Sequence, residues 1–230
     1  MNILAIDTST EYLSLAIMKD GRVIGRFHRR CAMRHSSTLI PMIDKLLKKV
    51  RLKIKEIGCF AFSIGPGSFT GLRIGVATVK GLAYALKKPV VTVPTLDVIA
   101  RNVRHFNGII CPVLDARKNK VYSCIYRSDA KTIKRISPYL LLEIVVLKKT
   151  LASYDKICLL GDAAHLIERS FGCSYSSQPQ DQITYSKIWH PKAEIAAGLA
   201  INEIKKKHFA KPEDLEPLYL YSRECDITGK

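Results

Sequence analysis

Apolar positions along this chain recur at two spacings, every second residue and about every 3.6 residues, and the switches between them mark its elements. Asn2–Asp7 and Tyr12–Lys19 alternate as strands, and Asp20-Gly21 forms a hairpin turn into a third strand over Arg22–Arg29. Across Ser36–Val50, the residues Leu39, Ile40, Ile43, Leu46, Leu47 and Val50 fall at helical spacing, with Ser36 or Ser37 as N-cap. Pro41 lies near the first turn, where a missing N–H costs little. Gly58–Ile64 reads as a buried strand, Gly65–Phe69 as a glycine-rich turn and Thr70–Leu86 as a second helix. Pro89–Val93 follows as a strand, and Thr95–Val103 as a third helix capped by Thr95.

A second run opens with a strand over Ile109–Leu114 that ends on Asp115, as the first strand ends on Asp7. Val121–Tyr126 and Lys131–Ile136 are expected as strands around a turn at Ser128–Asp129. Tyr139–Leu151 is apolar without a decisive period; Lys156–Leu160 reads as a strand, and Ala163–Phe171 and Ala193–Lys207 as helices. The polar, proline-containing stretch Ser174–Tyr185 reads as loop, and Pro217–Ser222 as a last edge strand. A strand–Asp–turn–strand–strand unit thus occurs twice. Strands with intervening helices imply α/β layers, and the repetition implies two similar lobes, residues 1–105 and 106–230.

Composition narrows the class. The 230 residues are 47% hydrophobic and 25% charged, ordinary globular values. No run approaches the ~20 apolar residues needed to span a bilayer, and the N-terminal apolar run meets Asp7 too soon for a secretory signal or an anchor. Seven cysteines form no CxxC pair, and several, such as Cys111 and Cys158, sit in apolar stretches. They read as reduced small hydrophobes in a cytoplasmic protein. The net charge of +17 favours salt-dependent association with polyanions. The basic residues are spread along the chain, with modest clusters at Lys45–Lys55, Arg117–Lys120 and Lys205–Lys207. Charge therefore suggests a nucleic-acid neighbourhood without placing a site.

Candidate chemistry concentrates at the strand ends. Asp7, in AIDTST, has the type and position to orient Mg²⁺ or a water near a nucleotide phosphate, or to cap its own turn. Asp115, in LDARKNKVYS, carries the same two readings. Gly65-Pro66-Gly67-Ser68 leads from a strand into a helix whose free N–H groups can hold an anion. It matches neither a Walker loop nor GxGxxG, so the spacing favours a tight connection. The helix that follows has a nearly flat side of Gly71, Gly75, Thr78, Gly81 and Ala85. Each interior glycine weakens a helix by ~1 kcal/mol relative to Ala, so close packing must compensate, against the chain's own sheet or a partner helix. The six histidines show neither HExxH nor HxxxH spacing, and no metal site is read; His35 is expected as a surface or capping residue. No GxSxG elbow is present.

Taken in order, AIDTST, RRCAMRHSSTLIPMIDKLL, SIGPGSFTGLRIGVATVKGLAYAL, VPTLDVIA and LDARKNKVYSCIY resemble the TsaB (YeaZ) family of tRNA threonylcarbamoyladenosine biosynthesis proteins. GPGSFTGLRIG carries most of the likeness, which thins after residue 126. The resemblance implies a duplicated actin/sugar-kinase-like (ASKHA, ribonuclease H-like) fold, with the last long helix packing back towards the first lobe. It implies a non-catalytic cytoplasmic subunit that binds and activates TsaD, the paralogue that transfers a threonylcarbamoyl group to the N6 amine of the adenosine beside the anticodon. A TsaE-type ATPase and tRNA complete the set. No cofactor is implied for the chain alone; a nucleotide at the junction with TsaD, and a homodimer when the paralogue is missing, are compatible with the likeness. The paralogue's HxxxH metal pair falls here on Thr95 and Ile99, neither suited to a transition metal. The shared interface maps onto the two long N-terminal helices, at Leu39, Ile43, Leu46, Gly71, Gly75 and Thr78. Gly75→Leu is then expected to abolish assembly and spare the fold. The competing reading is an ATP-dependent kinase or ATPase of the same superfamily, with Asp7 and Asp115 at the phosphates.

Overall fold

The structure, a computed structural model, describes residues 1–31, 34–170 and 183–220, without the side chains of 168–170. Its elements run β1 (Asn2–Asp7), β2 (Tyr12–Lys19), β3 (Arg22–Arg30), α1 (His35–Lys49), β4 (Cys59–Gly65), α2 (Phe69–Leu86), β5 (Val90–Pro94) and α3 (Thr95–Ala100). They continue with β6 (Asn107–Asp115), β7 (Lys120–Ser123), β8 (Tyr126–Asp129), β9 (Ile133–Arg135), β10 (Leu140–Glu143), α4 (Ile144–Leu151), β11 (Ile157–Leu160), α5 (Ala164–Ser170), β12 (Ile183–Ser186) and α6 (Ala193–Lys205). They form two units: Met1–Asn102 with His190–Leu218, and Val103–Trp189 with Tyr219–Lys230.

In the first unit the sheet order is β3-β2-β1-β4-β5. Strand β1 runs antiparallel to β2 and parallel to β4, which in turn is parallel to β5. The strand period of two sorts side chains by size as well as polarity. Leu4, Ile6, Leu13, Leu15, Ile17, Phe60 and Phe62 share one core with residues of α1 and α2. The alternate positions, among them Ala5, Ala16, Cys59 and Ala61, meet Ala193, Ala196, Ala197 and Ala200 of α6 in a second core. Small side chains on both sides bring this helix close to the sheet. Residues 190–218 therefore belong with the first unit, beyond the boundary near residue 105 set from the sequence.

The second unit repeats the scheme: β6 is parallel to β11, β11 is parallel to β12, and antiparallel strands lie on the other side of β6. Its core gathers Ile109, Cys111, Val113, Leu147, Leu151, Leu159 and Ile167. Several expected boundaries change here. Val121–Tyr126 is two strands, because the nine-residue β6 pairs with β7 along its end and with β8 along its start. Ser128–Asp129 lies inside β8, and the reversal falls at Ala130, at φ 69°, where Asp129 Oδ1 accepts from the Lys131 N–H at 2.9 Å. Tyr139–Leu151 resolves into β10 and α4, whose Leu147 and Leu151 face inward one turn apart. Ile183–Ser186 is strand where loop was expected, drawn in by parallel pairing with β11. Residues 217–220 are not a strand, although the Leu218 N–H donates to Ile64 O at 2.8 Å. Phe171 and Ser222, the expected ends of two elements, lie outside the described residues.

Candidate partner-binding site

Asp7 ends β1 fully buried, and the Ser9 N–H and hydroxyl donate to its Oδ1 at 3.0 and 2.8 Å. Among the described residues, Oδ2 has no hydrogen bond of normal geometry, and the buried hydroxyls of Thr8 and Thr95 have no partner. Burial pushes the Asp7 carboxyl up to about 6, with the Ser63 and Ser9 groups pulling the other way. Against this turn packs the β4–α2 loop, whose Ser68 N–H donates to Ser9 O at 2.7 Å. Gly65 stands at φ 110°, in the region only glycine enters freely. Ser68 caps α2, its hydroxyl accepting from the Gly71 N–H at 3.3 Å. Gly65-Pro66-Gly67-Ser68 is thus a tight connection laid on the β1 turn.

The flat side of α2 divides in two. A Cβ on Gly71 would overlap the Thr8 carbonyl oxygen, and one on Gly75 would overlap Thr8 Oγ1 and the Phe62 ring. These glycines let α2 press onto its own sheet, and Gly75→Leu would therefore strike the fold itself. Leu39, Ile43 and Leu46 are likewise core residues, and Thr78 is half-buried. Helical spacing identifies a face but not what covers it. The outward faces of the same helices are different residues. On α2 they are Phe69, Ala77, Gly81, Tyr84 and Ala85, and a Cβ on Gly81 would meet nothing within 4 Å. Tyr84 is 79% exposed and Phe69 43%, and on neighbouring α1 Ile40 is 51% exposed. Arg73 holds its guanidinium 3.8 Å from the Phe69 ring centroid. This apolar outer face, interrupted by small residues, is the candidate site.

Other expected positions find structural explanations. Thr95 and Ile99 are both buried in α3, and Thr95 is a helical residue preceded by Pro94 instead of the cap. Helix α1 begins at His35 without a side-chain cap, and His35 is buried, its Nε2 3.3 Å from Tyr12 O. Asp115 Oδ1 accepts from the Arg117 N–H at 2.7 Å, closing a turn in which Arg117, Lys118 and Asn119 all have positive φ. The Asp115 N–H donates to Asp162 Oδ1 at 2.9 Å, and burial raises the Asp162 carboxyl above its ordinary value. Cys59, Cys111 and Cys158 are free thiols that burial pushes up to about 12, 12 and 11. Cys173 and Cys225 lie outside the described residues. One grouping has no sequence signal at all. The Tyr12 ring stacks on both His28 and His190, at centroid distances of 5.0 and 3.7 Å, and the two imidazoles themselves lie 6.2 Å apart. It unites residues 12, 28 and 190 only through the return of the chain.

Two units, each with a parallel β–β–β path and antiparallel strands beside it, an Asp-ended first strand and a glycine turn against it, define the actin/sugar-kinase-like class. Residues 26–207 match the family model described as TsaD, tRNA N6-adenosine threonylcarbamoyltransferase. The tRNA threonylcarbamoyladenosine biosynthesis protein TsaB of Bacillus subtilis is 36% identical over 138 residues, which cover 60% of this chain and 60% of that protein. Its namesake in Buchnera aphidicola subsp. Acyrthosiphon pisum is 30% identical over 226 residues, 96% of this chain and 98% of that one. The solved structure of YeaZ from Pseudomonas aeruginosa matches with a TM-score of 0.80 at 27% identity, over 95% of this chain and 99% of that chain. The chain belongs to the TsaD-type family, among its TsaB (YeaZ) members.

Proposed function

We propose that this chain is the non-catalytic subunit of a cytoplasmic assembly that forms threonylcarbamoyladenosine on tRNA, binding a TsaD-type paralogue and holding it in its active shape. A TsaE-type ATPase and tRNA are the further members. The observation that carries the reading is the outer side of α2, where Phe69 and Tyr84 are exposed along with Ala77 and Gly81, with Ile40 exposed on neighbouring α1. Exposed aromatics beside small residues let a second helix approach closely and bury large apolar area. The residues at the paralogue's metal-pair positions support an accessory role: Ile99 has no donor atom, and Thr95 is turned into the core. A nucleotide at the junction with the paralogue, and self-association through this face in its absence, belong to the same proposal.

The test is size-exclusion chromatography with the cognate TsaD-type paralogue. Gly81→Leu should abolish co-elution, and Tyr84→Ala should weaken binding by at least ~10-fold, the range of an interface anchor. Neither should cost the isolated chain more than ~0.5 kcal/mol, and Gly81→Leu should stabilise α2 slightly. Gly75→Leu should instead fail at folding, since overpacking a closed contact costs ~1–3 kcal/mol or more. Wild-type co-elution of the Gly81→Leu variant would sink this reading.

A further inference from the structure

The longest strand of the first unit is also its edge. Strand β3 spans nine residues, roughly 30 Å at ~3.3 Å each, and among the described residues β2 is its one strand partner. Five of the chain's 14 arginines fall between residues 22 and 34, a stretch with no lysine and no carboxylate. A free edge is ordinarily blunted with charge, lysine above all, and this chain has 23 lysines. Here it uses arginine alone, whose planar fork grips phosphate oxygens in pairs where lysine offers a point charge.

The register decides which of these arginines are engaged. A one-residue shift around Ile24 sets Arg22 and Arg29 opposite Lys19 and Leu13, while Arg26 and Arg30 lie opposite Ala16 and Tyr12 on the other face. The second pair is answered: Arg30 meets Glu11 at 2.8 Å and Arg26 reaches Glu194 at 3.7 Å. Among the described residues, Arg22, Arg29 and Arg34 have no carboxylate at ion-pair distance, and all three are exposed. Strand pairing on one side only also leaves backbone N–H groups along the outer edge for phosphate oxygens.

The geometry points to β3, with Arg22, Arg29 and Arg34, as a docking ribbon for the phosphate backbone of RNA, supplied by this chain itself. The choice of RNA over another polyanion rests on the functional reading above; the ribbon rests on charge complementarity. Each arginine that neutralises one phosphate contributes close to one unit to the salt dependence of binding.

The test titrates the full chain with an unmodified tRNA transcript over a range of salt concentrations. Replacing Arg22, Arg29 and Arg34 together by Gln should flatten the plot of log affinity against log salt by about 2–3 units. Replacing them by Lys should keep the slope while weakening binding, and covers the case in which the Gln variant folds poorly. The control replaces Lys49, Lys55 and Lys205 by Gln, removing equal charge elsewhere on the same unit. An unchanged slope for the arginine variant, or an equal loss for the lysine control, overturns the proposal. So does arginine-dependent binding to phosphatidylserine vesicles in place of RNA. Co-elution with the TsaD-type paralogue is read separately. A chain that fails to bind the paralogue but keeps the arginine-dependent slope refutes the proposed function and leaves the ribbon standing.

Discussion

Asp7 joins a visible motif to a cost that appears only in the folded chain. Its carboxylate is sealed from solvent with one oxygen lacking a hydrogen bond of normal geometry, so desolvation outweighs the hydrogen bonds it accepts. The folded protein holds the proton up to about pH 6, whereas the ordinary value is 3.8. The associated stability is complete below 3.8 and is lost as pH rises through 6. At ~1.4 kcal/mol per pH unit that interval is worth about 3 kcal/mol. Asp7→Asn should therefore raise stability at pH 7.5 by about 1–3 kcal/mol, with the gain vanishing at pH 4, as read from urea unfolding at both values. A variant less stable than wild type at pH 7.5 would show that Asp7 contributes interactions beyond those seen. The position of Asp7 at the end of a strand was plain in AIDTST. Its burial was not, because it depends on Gly71, more than sixty residues on, admitting α2.

At the scale of elements, period and packing say different things. The 3.6-residue recurrence located α1 and α2, yet Gly75 and Gly81, six residues apart, face opposite worlds. The Tyr12 stack makes the same point for β2, β3 and the entry to α6. His28 and His190 are both held below their ordinary value, by burial first. Glu194 opposes this at His28, while at His190 the proximity of His28 adds to it and Glu11 opposes it. A histidine so depressed leaves the unfolded chain to take the proton first, so its contribution is complete above about 6.5 and is lost as pH falls through the folded value. This runs against Asp7. In an Asp7→Asn background, stability should fall steadily from pH 7.5 to 5.5, and His28→Phe with His190→Phe should flatten that fall. Thermal melts across this range would decide it; a profile unaltered by the double substitution would exclude the stack as its source.

For the whole molecule, the second face of the first sheet is the sensitive surface. Ala5, Ala16, Cys59, Ala61 and Val91 are covered there by the alanine side of α6, and the Ala193 N–H donates to the Ser14 hydroxyl at 2.9 Å. Ending the chain after Trp189 should uncover that face, abolish the cooperative thermal transition and produce binding of an apolar dye. Retention of a wild-type transition would mean that α6 is an accessory to the unit and not part of its core. At the same scale, the charge of +17 takes a direction once folded. The arginines of residues 22–34 form a local concentration in the sequence, but only strand register sorts those answered by carboxylates from those that are not.

The sequence by itself determined the alternation of strand and helix, the repeat beginning at Asp7 and Asp115, and the likeness carried by GPGSFTGLRIG, because each is a matter of local spacing and residue type. The folded chain alone reveals which side of α2 is sealed, that alanines seal α6 onto the second face of the first sheet, and that residues 12, 28 and 190 stack. A helix or strand pattern records that a side chain avoids water, and not whether its own sheet or another protein provides the cover. That depends on contacts between residues far apart in the chain, whose free energy local periodicity does not contain.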